Sequence, residues 1–315
     1  MGGIDSELMP TPYPCIMGHE IIGTVAAAGA HVKNVRVGER VGLGAQCHAC
    51  MDRKGNCPEC RAGWVQYCRN ELTFSIHSTY PAGSEAAGQV TQGGWADRVR
   101  CSSEFVFSIP ASIPSAEAAP LLCGGITVYA PLARYVTRPG MRVGVVGIGG
   151  LGHIALLMAR KMHGGDCHVT AISHNDRKAK DAAAFGAQAY IDTSDAAAVK
   201  AAFRSLDVVL VTANGKSLDF HSWMSMVTFG GTLCTVGLTK APFSIHPFSL
   251  GAHVKLVSSS IGTRKEMEEM LAFVAQHNIR PAVQVMDMDK VNDGVQMVRK
   301  GEARYRVVLE NKENK

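Results

Sequence analysis

The stretch Arg142-Val143-Gly144-Val145-Val146-Gly147-Ile148-Gly149-Gly150-Leu151-Gly152-His153 decides the fold. Its valines read as a strand, its glycines as a turn, and the apolar spacing over residues 151–162 as a helix. Gly147, Gly149 and Gly152 form the pattern G-x-G-x-x-G, and the strand-turn-helix context gives that pattern its meaning. The first glycine permits a tight turn, the second lets the backbone approach a pyrophosphate, and the third lets the helix pack on the strand. Amides opening the helix then face the phosphates. The turn, including Gly150 and Leu151, is therefore read as a dinucleotide site.

Outward from this turn, strands are expected at 168–172, 207–211, 231–236 and 305–309, and helices at 177–185 and 265–277. Alternating strands and helices predict an α/β fold with a doubly wound parallel sheet. Residues 16–44 read differently: β-branched runs at 21–25 and 35–41, the second broken by Gly38, predict antiparallel strands joined by turns. The strand after the glycine turn ends near Ile172, where a carboxylate would face a ribose 2′-hydroxyl. Instead Ser173 stands at the tip, and Arg177 and Lys178 open the next helix, a set that suits a 2′-phosphate and hence NADP over NAD.

With 315 residues the chain fits two domains, and 46% hydrophobic against 19% charged residues exclude a disordered chain. The net charge of +5 is scattered, so neither nucleic acid nor a membrane surface is an expected partner. The longest apolar stretch, 143–159, is broken by five glycines and a histidine and does not resemble a membrane span. The opening MGGIDSELMP lacks basic and apolar leader regions, from which a cytoplasmic protein is expected. Five of the ten cysteines crowd at 47, 50, 57, 60 and 68, which favours metal thiolates over disulfides. Cys50-x6-Cys57-x2-Cys60-x7-Cys68 can enclose one Zn²⁺ with no open position, a structural site. The set Cys47, Cys50, Cys57 and Cys60 is the alternative.

Further motifs follow in order: Gly18-His19-Glu20-Ile21-Ile22-Gly23, Val37-Gly38-Glu39-Arg40-Val41-Gly42, the cysteine lobe, Gly93-Gly94-Trp95-Ala96, Leu122-Cys123-Gly124-Gly125-Ile126-Thr127, Val236-Gly237-Leu238 and Ala303-Arg304-Tyr305-Arg306. Over residues 13–309 the chain resembles the zinc-dependent alcohol dehydrogenases of the medium-chain superfamily, in particular the NADP-linked cinnamyl alcohol dehydrogenase group. The resemblance implies a Rossmann NADP-binding domain over 109–262 and a GroES-like catalytic domain over 1–108 and 263–315. It implies a catalytic zinc on His19 and Cys123 with Glu20 beside it, Thr127 near the nicotinamide, and Val236 and Gly237 at the cofactor. The lobe spacing of the family matches Cys57, Cys60 and Cys68, with Cys50 as first ligand and residues 53–56 inserted.

In relatives a further zinc-binding Cys lies in a Cys-Gly-x-Cys-His-Ser/Thr-Asp segment upstream of Gly-His-Glu. Met1 falls just downstream of that place, so the GroES-like domain is expected without its first strands and turnover is expected to be impaired. Cys15, four residues before His19, is a substitute ligand by spacing. The implied activity interconverts primary alcohols and aldehydes, aromatic or branched aliphatic, with NADP(H), in a homodimer formed through 244–262. The alternative is a non-catalytic dinucleotide- and zinc-binding protein. Of the remaining candidates, His48 is expected outside the ligand set, His153, Trp64 and Trp95 in packing roles, Cys167, Cys234, Met267 and Met270 in the core, and Cys101 at the surface.

Overall fold

A computed structural model describes residues 13–84, 86–215, 218–237 and 242–311. The chain divides into two compact units, Met1–Ile126 with Ile261–Asn278 and Ala282–Lys315, and Thr127–Ser260 with Ile279–Pro281.

The first unit opens with β1 (Ile21–Thr24), β2 (Arg40–Leu43), β3 (Gln46–His48), α1 (Pro58–Arg61), β4 (Thr73–Phe74), β5 (Val106–Ser108) and α2 (Ser115–Ala118). Strands β1, β2 and β5 form an antiparallel sheet, with Ile21 opposite Leu43 and Val41 opposite Ser108. The expected strand over 35–41 starts only at Arg40. Gly38, at φ +85°, donates its amide to the Val25 carbonyl, and Val25 donates to Glu39, so the residues before Arg40 turn. The boundary between these units lies at 126/127. Leu121 and Leu122 are buried, and Leu122 packs so tightly on β2 that a Cβ at Gly42 would lie 2.5 Å from its Cδ1.

The helix α3 (Gly124–Tyr135) leads into the second unit. There follow β6 (Arg142–Val146), α4 (Gly152–Ala159), β7 (His168–Ser173), α5 (Ala179–Ala184), β8 (Ala189–Asp192), α6 (Ala196–Ala201), β9 (Leu206–Val211), α7 (Phe220–Met226), β10 (Val227–Thr235) and β11 (Lys255–Ser258). All six strands pair in parallel, in the order β11-β10-β9-β6-β7-β8. The chain runs outward from β6 to β8, then crosses back to β9, so the strand order reverses between β6 and β9. Both faces of the central strands are covered: Val143, Val145, Val169, Ala171, Val209 and Val211 are fully buried. Each buried aliphatic of this kind contributes about 1.5–3 kcal/mol. The chain then returns to the first unit with α8 (Arg264–His277), β12 (Val283–Asp287), α9 (Val291–Arg299) and β13 (Arg306–Glu310), the two strands pairing in parallel. Thr263 and Glu266 close a capping box on α8, which buries Met267 and Met270. Among the described residues, no single helix is long and apolar enough to cross a membrane.

Candidate functional site

Four sulfurs converge in the lobe between β3 and β4. Cys50 lies 3.5 Å from Cys68 and 3.8 Å from Cys60, and Cys57 lies 3.9 Å from Cys68, sulfur to sulfur. A tetrahedron with Zn–S bonds of about 2.3 Å places its sulfurs about 3.8 Å apart, so the set fits zinc without rearrangement. The Glu71 amide donates to the Cys68 sulfur at 3.3 Å, as an amide would to a thiolate. Burial pushes the Cys68 thiol up, but the surrounding amides of Cys50, Glu71 and Asn70 outweigh it and bring the group down to about 7. Burial and neighbouring thiols hold Cys60 well above the usual range. Cys47 lies outside the set, with its sulfur toward the Thr73 carbonyl and the Tyr80 hydroxyl. His48 pairs with Glu71 at 3.3 Å. The loop over 53–56 is fastened at its base, where Asp52 accepts from the Cys57 amide and Arg61. Cys101, expected at the surface, instead packs half-buried against this cluster.

In the second unit, the turn after β6 lies at the strand-order reversal. Gly147 has φ +87°, and a Cβ on it would approach Ala213, beyond the end of β9. A Cβ on Gly152 would lie 1.8 Å from the Gly147 carbonyl oxygen, and one on Gly237 would lie 2.0 Å from that of Ala213. Around Gly149, by contrast, nothing stands within 4 Å of an added Cβ. Gly147, Gly152 and Gly237 thus serve close packing, and Gly149 leaves a space at the start of α4 that fits a pyrophosphate. Ser173 ends β7, where an NAD site would carry a carboxylate. Asn175 caps the next turn by accepting from the Arg177 amide, and Arg177 is exposed. The Lys178 ammonium reaches back to the Ile148 carbonyl at 2.7 Å, which brings a cation onto the glycine turn itself. His153, at the start of α4, is fully buried and bonds the Gly149 carbonyl, a packing role. Val236 and Gly237 follow β10, and both of their amides donate to the Val211 carbonyl at the end of β9. Thr127 is buried on α3, one turn beyond Cys123.

The third group is His19, Glu20 and Cys123, whose ligand atoms all lie within 4.8 Å of one another. Residues 19 and 20 lead into β1, and Cys123 immediately precedes α3. Burial pushes the His19 imidazole down and the Arg306 guanidinium adds to this, while Glu20 opposes it. A neutral imidazole, a thiol and a carboxylate offer three donors of the types that catalytic zinc takes. Glu20 is held by two partners, the Gly124 amide at 2.9 Å and the Arg306 guanidinium. Cys15 is not among the converging groups. Sequence reasoning quoted Arg306 and Gly124 within motifs but gave neither a role. Their signal was motif membership alone, because 286 positions separate Arg306 from the carboxylate that it holds.

Comparison with known proteins shows the family. The alcohol dehydrogenase GroES-like domain family matches residues 2–111, and the zinc-binding dehydrogenase family matches residues 150–276. An NADP-dependent alcohol dehydrogenase C of Mycolicibacterium smegmatis is 36% identical over 299 residues, 95% of this chain and 82% of that protein. A cinnamyl alcohol dehydrogenase structure from Sorghum bicolor superposes with a TM-score of 0.87 at 32% identity, covering 95% of this chain and 82% of that one. The cinnamyl alcohol dehydrogenase of Helicobacter pylori, solved with NADP(H), gives 0.85 at 27% identity, covering 97% and 84%. The chain belongs to the zinc-binding alcohol dehydrogenase family.

Proposed function

We propose that this protein is an NADP-dependent alcohol dehydrogenase that interconverts primary alcohols and aldehydes, aromatic or branched aliphatic. The convergence of His19, Glu20 and Cys123 carries the reading, because Cys123 lies more than a hundred positions from the adjacent His19 and Glu20 and yet an imidazole, a carboxylate and a thiol meet at one point. The names of the relatives support the cofactor and the substrate class. His19 and Cys123 would hold the catalytic zinc, with Glu20 beside them, and Cys50, Cys57, Cys60 and Cys68 would hold a structural one. When bound, zinc supplies Lewis acidity toward the substrate oxygen, and the dinucleotide supplies or accepts the hydride.

The chain's own contribution is to prepare the donors. Burial keeps His19 neutral near pH 7, so a ring nitrogen lone pair is available. Arg306 and Gly124 hold the Glu20 carboxylate in one orientation. The space over Gly149 admits the pyrophosphate, while Ser173, Arg177 and Lys178 favour the 2′-phosphate. A homodimer through 244–262 belongs to the same proposal. Strand β11 within it is a sheet edge, and Phe248 is 85% exposed nearby, both of which favour pairing with a second copy. A reducing compartment such as the cytoplasm suits the thiol-rich lobe. The test is aldehyde-dependent oxidation of NADPH by the purified, zinc-loaded protein. Turnover that is lost in C123A supports the proposal. NADPH binding without turnover on any primary aldehyde or alcohol overturns it in favour of a non-catalytic binder.

A further inference from the structure

The segment Gln92-Gly93-Gly94-Trp95 grips the residues that run into His19. The Ile16 amide donates to the Gln92 side-chain oxygen at 2.7 Å. In return, Gly93, Gly94 and Trp95 donate their amides to the carbonyls of Ile16, Gly18 and Met17 at 2.8, 2.8 and 2.9 Å. The approach is too close for side chains. A Cβ on Gly93 would lie 2.4 Å from the Met17 and Gly18 carbonyl oxygens, and one on Gly94 would lie 2.3 Å from the Ile21 side chain. Gly18 bends the chain with φ +93° immediately before His19, and the Trp95 indole covers it so closely that a Cβ there would meet Cδ1 at 2.6 Å.

We infer that Trp95 is a positioning residue: its indole, seated on Gly18, fixes the turn that delivers His19 and Glu20 to Cys123. The inference rests on the reading of those three residues as a metal site. A ligand that must meet a distant cysteine needs its backbone held from outside, and among the described residues no helix or strand precedes it. The turn is clamped on its carbonyl side by three amides and on its open side by one aromatic ring. Removing the ring frees Gly18, whose permissive backbone then samples other turns and loosens the three amide contacts made to the segment.

The test is a titration of the full chain, its cysteine lobe filled with zinc, with Co²⁺ alone. The thiolate-to-cobalt absorption band reports the second site through Cys123. W95A is expected to weaken Co²⁺ binding there about tenfold to a hundredfold, the usual effect of losing a group that orients a ligand. It should leave one zinc per chain in the lobe. W95F, which keeps a ring over Gly18, should restore binding, and G18A should reproduce the loss. Hydrogen exchange provides a readout free of metal: in W95A the amides of Gly93, Gly94 and Trp95 should exchange faster than in the unaltered chain. Unchanged Co²⁺ affinity in W95A, failure of W95F to restore it, or parallel loss of the lobe zinc overturns the positioning role. If the unaltered chain takes up no second metal, the metal reading fails on its own. Unchanged exchange in W95A then overturns the positioning role independently.

Discussion

Two glycines three residues apart in the same turn should fail in opposite ways. At Gly152 an added methyl would lie 1.8 Å from the Gly147 carbonyl oxygen, with Thr212 Oγ1 at 3.1 Å, so either α4 or β6 must move. Overpacking costs about 1–3 kcal/mol, and a clash with backbone rather than a flexible side chain argues for the upper end. At 2–4 °C per kcal/mol for a domain of this size, G152A should lower the melting temperature by about 6–12 °C. At Gly149 the methyl meets nothing within 4 Å, and φ lies outside the left-handed region, so G149A should melt close to the unaltered protein. It fills the space left for a pyrophosphate, however. Losing a charge-assisted contact between amide and phosphate costs about 1.5–3 kcal/mol, so NADPH should bind roughly 10–150-fold more weakly. Thermal unfolding and fluorescence titration with NADPH separate the two effects. Undiminished NADPH binding by G149A, or undiminished stability of G152A, would refute the division of labour within the turn.

R177A should weaken NADPH about tenfold and leave NADH unaltered in the same titration; Arg177 is the cleaner probe because Lys178 also bonds the Ile148 carbonyl. C68A should lose the lobe metal, measured as zinc per chain, and lower the melting temperature, because the four sulfurs share a buried cluster with Leu43, Val65 and Phe105. Burial raises the Asp207 carboxyl, but the Arg142 fork and the Arg142 amide outweigh it and hold the group below the usual carboxylate value of about 3.9. Its stabilisation is therefore present above that value and lost as pH falls through the depressed one: D207N should be less stable at pH 7 by about 1 kcal/mol, reduced because Arg142 is partly exposed, and the gap should close below pH 4 in urea denaturation. In a double-mutant cycle, E20Q and R306A should couple by about 1–3 kcal/mol in stability, the pair being mostly buried, whereas additive losses would exclude the contact.

How much of this could be read from the sequence follows from which forces are local. Strand β6 and its turn were legible because both faces of a central parallel strand are buried, so valine follows valine, and because a phosphate turn requires glycine at set places. Strand β8 (Ala-Tyr-Ile-Asp) and strand β11 (Lys-Leu-Val-Ser) were not, because as sheet edges they are only half-buried and carry little apolar signal. The strand expected over 35–41 reversed the logic: Val35 and Val37 have strand chemistry, yet Gly38 turns the chain, and the bonds of Val25 to the Gly38 amide and the Glu39 carbonyl fix that turn. The return of 261–278 to the first unit was visible only as family resemblance, since nothing in a helix sequence states which core it joins.

The sites divide along the same line. A four-cysteine lobe spans only 19 residues, so its spacing constrains its geometry, and what remained open was Cys47 against Cys50. Cysteines three residues apart can face one metal, as Cys57 and Cys60 do, so the spacing left both choices open; packing decides between them by sending Cys47 toward Tyr80 and Cys50 toward Cys68. The His19 group has no such local constraint. Its parts come from the approach to β1, the residue before α3 and the start of β13, and no periodicity links them. Trp95 and Arg306 support that group from distant parts of the chain, one through the backbone before His19 and the other through the carboxylate after it. The turn before His19 and the Glu20 carboxylate are thereby held by different partners. A substitution at Arg306 should therefore act directly on the Glu20 carboxylate, whereas one at Trp95 should shift the turn that carries both donors, a distinction that arises from tertiary placement and that neighbouring positions in a sequence conceal.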